Sequence, residues 1–293
     1  MKILVCCHKK DIVASEPPYF PIHVGKALSQ VDLGVTGDDS GDNISLKNGS
    51  YCELTGVWWA WKNLPATDYI GLCHYRRYFD FHHQCPNGLP QKVFPTAVFP
   101  RINLTVPEAV VNDLKEGCVY VANPVYYPHS LRQRWCKRHH ESDFSIMERI
   151  VKNGQPENVV RAFYDVMIRG NKLHPCNMFL MKWADFDAYC SWLFPLLGEM
   201  ERTVSISNYD AYQRRIFGFM AERLLNVWLV ANGKQVVSKP LIMLSDDASA
   251  AKEYSPLRFL LGNKLRCLAN NLTRKETYKE WLLSSSPSSS TGE

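Results

Sequence analysis

Asp68-Tyr-Ile-Gly-Leu-Cys-His-Tyr-Arg-Arg-Tyr-Phe79 is the stretch that decides the fold. Its first part, Tyr69 to Cys73, is a short apolar run led in by Pro65 and Asp68. It lacks polar alternation, which is the pattern of a strand buried on both faces of an α/β sheet. The chain then turns polar at once, with His74, Arg76 and Arg77. Ligands of open α/β sheets bind in the crevice outside the carboxyl ends of the strands, which is where these three side chains leave the sheet. Arginine presents a planar fork of donors that matches phosphate oxygens two at a time, so the group predicts a dianionic or diphosphate ligand. A salt-bridged surface pair would not need the aromatic neighbours Tyr75, Tyr78 and Phe79.

Upstream, Lys2-Ile-Leu-Val-Cys-Cys7 reads as a first strand that delivers His8, Lys9 and Lys10 at its own carboxyl end. Residues 11–48 read as one long loop rich in Pro, Gly and Asp, of the kind that is shaped and faces a ligand. Within it Asp38, Asp39 and Asp42 lack EF-hand spacing, and turn chemistry accounts for them better than a bound cation does. Ser50-Tyr-Cys-Glu53 has the form of a capping box and predicts a helix to Lys62. Leu54, Val57, Trp58 and Trp61 give that helix one apolar stripe for the sheet. Trp59 and Lys62 are its members placed to reach a ligand, although a lysine at a helix C-terminus also complements the dipole.

Downstream, periodicity predicts helices over 108–115, 139–153, 156–169, 183–197 and 210–231, and strands over 119–122 and 178–181. His174-Pro-Cys-Asn177 leads into the last of these strands. Strands and helices alternate loosely, so the class is α/β with a predominantly parallel central sheet flanked by helices. With 46% hydrophobic and 22% charged residues among 293, the chain has material for one large domain, 1–255, and an appendage.

Ten cysteines without a CxxC pair point to reduced thiols in a cytosol-like compartment. The N-terminus has too few apolar residues for a signal peptide, and no run approaches the length of a membrane span. The net charge of +5 is mild and concentrates in 132–140 and 258–279. No helix-turn-helix, zinc-finger, RNP or KH pattern accompanies it, so nucleic acid is not an expected partner. Residues 256–283 mix Leu, Phe and Trp with Arg258, Lys264, Arg266, Arg274, Lys275 and Lys279. That is the composition of a basic amphipathic segment on an anionic membrane face, and equally of a closing helix packed on the domain. Residues 284–293 are Ser-rich and expected to be disordered.

A likeness runs through the ordered blocks His8-Lys9, Pro21-Ile-His-Val-Gly-Lys-Ala-Leu28, Gly41-Asp-Asn-Ile-Ser45, Lys47-Asn48, Tyr51-Cys-Glu-Leu-Thr55 and Trp59-Ala-Trp-Lys-Asn63. It continues through Gly71-Leu-Cys-His-Tyr-Arg-Arg-Tyr-Phe79, Cys176-Asn-Met-Phe179 and Ala221-Glu-Arg-Leu-Leu225. In these the chain resembles, to about Trp228, a bacterial family of capsular or exopolysaccharide biosynthesis proteins. The resemblance implies a GT-A-type glycosyltransferase, similar to enzymes of galactofuranose or galactose transfer in O-antigen and capsule assembly. It further implies a UDP-sugar donor, a lipid-linked oligosaccharide or polysaccharide acceptor, and a cytoplasmic location. The C-terminal segment would then attach the protein peripherally to the inner face of the bacterial cytoplasmic membrane.

Metal-dependent GT-A enzymes end a strand like 69–73 in Asp-x-Asp, whereas His74-Tyr75-Arg76 stands here. Protein charge is therefore expected to do the metal's work, with no metal site and no strict need for a divalent ion. The resemblance places the donor against His8, Lys9, Asp39, Asp42, Asn43, Lys62, His74, Tyr75, Arg76, Arg77, His174 and Asn177. Arg76 and Arg77 would neutralise the leaving phosphate. If transfer inverts, a carboxylate must take the proton of the acceptor hydroxyl. Asp210, at the start of the long helix, is explained by the dipole. Glu222, among Phe219, Met220, Leu224 and Leu225, needs a partner or a task, and Arg223 points about 100° away around the helix. The competing class is a non-catalytic carbohydrate-binding or scaffold subunit of a polysaccharide assembly complex.

Overall fold

The apolar run at Tyr69 is the middle strand of the main sheet. The computed structural model describes residues 1–86, 88–247, 255–273 and 275–284. Its strands in the first half are β1 (Lys2–Cys7), β2 (Tyr19–His23), β3 (Thr36–Gly37), β4 (Tyr69–His74), β5 (Arg77–Phe79) and β6 (Gln91–Phe94). The second half adds β7 (Val119–Ala122), β8 (Val125–Tyr126), β9 (Lys172–Leu173), β10 (Phe179–Lys182), β11 (Val236–Lys239) and β12 (Leu241–Leu244). The main sheet runs β11-β7-β10-β4-β1-β2-β3, and β8 pairs separately with β9. β4 is parallel to β1, as β1 is to β2, β2 to β3 and β11 to β7; β10 is the inverted strand between β4 and β7. The fold is α/β, with a predominantly parallel sheet flanked by helices.

Because successive residues of a strand face opposite sides, β4 feeds two cores. Ile70 and Leu72 join Leu54, Val57, Phe217 and Leu224 under the helices Leu54–Asn63 and Ile216–Ala231. Cys73 joins Ile3, Val5 and Tyr78 on the other face, where β12 pairs with both β5 and β6 and the helix Glu108–Lys115 packs. Gly71 lies opposite Leu180, and a side-chain carbon there would sit 3.1 Å from the Phe179 carbonyl oxygen. Close approach of the inverted strand therefore explains the glycine.

Several expectations change. The stretch 11–48 is not one loop, since β2 and β3 extend the sheet from within it. Pro21 disguises β2, because proline lacks a ladder N–H. The sheet tolerates it because β3 pairs only with Ile22 and His23. The helix expected from Ser50 breaks at Cys52, giving Asn48–Tyr51 and then Leu54–Asn63. The long helix starts at Ile216, not Asp210; the Asp210 carboxylate instead accepts from the Gln213 N–H at 2.7 Å, opening a 3₁₀ turn, Gln213–Arg215.

The C-terminal segment divides in two. The helix Pro256–Leu272 turns Asn270 inward, 3% exposed, and leaves Leu257, Leu261, Leu265, Leu268 and Leu272 between 55% and 78% exposed. The short helix Tyr278–Leu283 instead buries Trp281 completely. Of the expected Ser-rich tail, residues 285–293 lie outside the described residues.

Candidate active site

At the carboxyl ends of β1 and β4 the sheet opens into a cavity of about 680 Å³. Of the residues singled out from sequence, His8, His74, Tyr75, Arg76, Arg77, Asn177 and Glu222 line it together. Volume and position are those of a small-molecule site.

One wall is cationic. β4 hands directly to β5 through a tight turn in which His74 pairs with Arg77. Tyr75, in that turn, meets the His8 ring at 5.1 Å and gathers two cations, the Lys9 ammonium at 5.8 Å and the Arg76 guanidinium at 5.6 Å. Arg76 Nε donates to Asp11 at 2.8 Å, so that charge is already balanced. Arg77 lines the cavity with no carboxylate partner among the described residues. Burial holds the His74 imidazole below the ordinary histidine range, against the opposing pull of Glu53. Its Nε2–H donates to the Cys176 carbonyl at 2.8 Å, as a neutral ring can.

The opposite wall comes from the helix Ile216–Ala231, the 3₁₀ turn before it and two strained turns. Cys52 has φ 53° and ψ −131°, and Cys176 and Asn177 have φ 73° and 53°. Three of the four non-glycine residues with positive φ among the described residues thus line this one cavity. Such conformations cost on the order of 1–3 kcal/mol each and persist only where surroundings over-determine them. Here Asn48 Nδ2 donates to the Cys52 carbonyl at 2.7 Å, and Glu222 Oε1 accepts from the Cys176 N–H at 2.6 Å. A side-chain carbon on Gly218 would meet Cys52 Sγ at 3.2 Å, so the glycine lets the helix approach.

Glu222 has both oxygens engaged. Its Oε2 accepts from Arg223 Nη1 at 2.6 Å. The expectation that Arg223 points away is corrected: the 100° offset concerns the backbone, and the long guanidinium side chain closes it.

Three further residues, not expected from sequence, line the cavity. Glu53, expected as a cap, instead accepts through Oε1 from Asn177 Nδ2 at 2.7 Å, while Ser50 donates to the Lys47 carbonyl. Arg215 donates from Nε to Cys52 Sγ at 3.3 Å and lies 5.4 Å from the Phe219 ring. Asn48 completes the set. A signal for Arg215 was present: Arg214-Arg215 stands at a helix N-terminus, where the dipole disfavours cations.

The remaining expected residues lie elsewhere. Lys62 sits 3.5 Å from the Trp61 ring. Asp42 accepts from Trp58 Nε1, Asn43 accepts from the Ser45 N–H, and Asp39 lies on the exposed turn. Asp38 is buried and accepts from the Gly25 and Lys26 N–H groups, a turn role. His174 is buried at the Ala122 carbonyl, and burial lowers its pKa to about 4. Asp210 and Lys9 do not line the cavity. Where an Asp-x-Asp would stand, His74 is bound to a carbonyl and Arg76 to Asp11, groups that do not fit a cation.

Fold and cavity define an α/β protein with an open cavity at its strand ends, lined by arginines and glutamates together. The chain belongs to the family described as Domain of unknown function (DUF4422), which matches residues 2–233. It is similar to the apo structure of WbbM, a bifunctional glycosyltransferase, with 26% identity and a TM-score of 0.73. The likeness covers 84% of this chain and 45% of that one, so this chain spans less than half of that protein. A comparison with curated proteins finds no match.

Proposed function

We propose that the chain is a glycosyltransferase that moves a sugar, galactofuranose or galactose, from a UDP-sugar to a lipid-linked oligosaccharide or polysaccharide of capsule or O-antigen type. The observation that carries this reading is the pair of cavity arginines, Arg77 and Arg215, with no carboxylate partner among the described residues. Two such guanidiniums suit a diphosphate, and the likeness to WbbM supports sugar transfer as the reaction. The anomeric carbon–oxygen bond breaks with its electron pair leaving on the diphosphate, where Arg77 and Arg215 take up the charge. The acceptor oxygen forms the new bond, and for inversion its proton passes to Glu222, whose Oε2 is held by Arg223. Asp210, not lining the cavity, is the weaker candidate for that proton.

With no carboxylates at His74-Tyr75-Arg76, divalent metal is not strictly required. UDP-galactose or UDP-galactofuranose should be hydrolysed slowly without acceptor, and the rate should survive exhaustive EDTA. Complete loss that manganese restores would return the reaction to metal-dependent chemistry. Absence of both hydrolysis and UDP binding would favour the carbohydrate-binding scaffold.

The exposed leucines support peripheral attachment to the inner face of the cytoplasmic membrane. Leu257, Leu261, Leu265, Leu268 and Leu272 share one face of their helix, and a groove of about 680 Å³ runs along Leu257, Leu260, Leu261, Lys264 and Leu268 beside Tyr126. Arg258, Lys264, Lys275 and Lys279 supply the matching charge for anionic headgroups. No helix among the described residues is long and apolar enough to cross a membrane. The triple change Leu261→Gln, Leu265→Gln and Leu268→Gln should lower binding to phosphatidylglycerol vesicles at least about tenfold, with the melting temperature held. Wild-type-like vesicle binding by the triple variant would end this reading.

A further inference from the structure

We infer that Glu53, held in place by Asn177, is the acceptor for a hydroxyl of the donor sugar. The inference rests on the transferase reading and adds a sugar-recognising residue of the same cavity. Two chain segments over a hundred residues apart meet here, each through a strained turn: Cys52 sets the direction of Glu53, and Asn177 is itself in the left-handed region. Strain held from both sides fixes the relative position of the two side chains more tightly than packing alone requires.

The orientation of the Asn177 amide is determined by its neighbours. Nδ2 donates to Glu53 Oε1 at 2.7 Å and to the Gly218 carbonyl at 3.2 Å. Turned the other way, the amide oxygen would face two acceptors. Oδ1 therefore points away from both and is closed off in a side chain only 4% exposed, so Asn177 serves to hold Glu53. The second oxygen of Glu53 has no protein donor among the described residues, and Glu53 lines the cavity.

The free Glu53 oxygen accepts hydrogen bonds and does not donate them, so a phosphate is repelled and a hydroxyl is drawn in. The subsite also adjoins the cationic wall. His74, paired with Arg77 across the strand-end turn, donates to the carbonyl of Cys176, the residue before Asn177. A diphosphate on Arg77 places its attached sugar next to that turn. Glu222, holding the Cys176 N–H, keeps the turn in position from the other side.

The test uses the full chain with UDP and UDP-galactose as probes, measured by calorimetry and by donor hydrolysis. Glu53→Gln keeps the shape and removes one acceptor. Asn177→Gly suits the positive φ, so the turn is retained while the amide is lost. In both variants UDP affinity should stay within about twofold of wild type, while UDP-galactose affinity or its hydrolysis rate falls at least about tenfold. Retention of both sugar-nucleotide readouts within twofold in the two variants overturns the subsite. So does an equal loss for UDP and UDP-galactose, which would move this acceptor to the nucleotide. A wild-type chain that binds neither probe sinks the transferase reading and this subsite with it.

Discussion

Arg77→Ala should lower donor turnover about a hundredfold, in the absence of any metal, while the melting temperature stays within about 2 °C of wild type. A charge-assisted hydrogen bond contributes about 1.5–3 kcal/mol, and 2.7 kcal/mol is two decades in rate. Arg77 begins β5 at the cavity edge and holds no carboxylate among the described residues, so its removal breaks no ion pair of the fold. Its charge is set against a leaving diphosphate, which gains negative charge as the glycosidic bond breaks, so the loss falls on turnover more than on donor affinity. Arg76 offers the contrast. Part of its guanidinium is committed to Asp11 at 2.8 Å, and Arg76→Ala should cost nearer tenfold while loosening the segment around Asp11. Steady-state kinetics on both variants, with UDP binding as the control for folding, decide the matter. Wild-type rates in Arg77→Ala would remove the diphosphate from this wall.

Trp281→Ala should destabilise the protein by about 3–5 kcal/mol, the range for emptying a large buried aromatic site. The ring is fully buried, stacks on Phe163 at 6.1 Å and lies 5.3 Å from Tyr164. Its Nε1–H donates to Glu148, and the Lys152 ammonium sits 3.9 Å from the ring while donating to the Trp281 carbonyl. Truncation leaves Glu148 without that donor and Lys152, its side chain 2% exposed, without the ring. Glu148 and Lys152 stay paired with each other at 3.7 Å, so the lost indole hydrogen bond, not an unpaired charge, adds to the cavity term. Calorimetry should show a midpoint lowered by roughly 10 °C; a shift under 2 °C would mean that this helix is not part of the folded core. The same packing rules out removal of 257–293 as a clean test of membrane attachment, because such a deletion takes Trp281 with it.

Much of the framework was legible because continuous apolar runs such as Lys2–Cys7, Tyr69–His74 and Val119–Ala122 leave few alternatives to a buried strand. Part of the cavity lining followed from the same logic, since His8 and His74 to Arg77 are fixed by where strands end. What did not follow was brought in by tertiary structure. The Ser50-to-Glu53 spacing satisfies a local rule, and only the turn at Cys52, held by Asn48 and pressed by Gly218, converts Glu53 from a cap into a cavity carboxylate. The short strands β2, β3, β5 and β12 exist because neighbours pair with them; their own residues carry too little pattern. Lys62 and Asp42 looked poised for a ligand because sequence does not show that tryptophan rings already receive them.

The inverted place of β10 sets an order in time. β4 needs β1 on one side and β10 on the other, and about 100 residues separate the end of β4 from the start of β10. At ribosomal speeds that interval is about 5–20 s, during which the partner edge of β4 has no strand to close it. β11 and β12 follow later still, and the Trp281 plug comes after them. The nascent chain therefore passes through a period in which the middle strand of its sheet is open on one side, and its yield in the cell depends on how well that edge is shielded until β10 arrives.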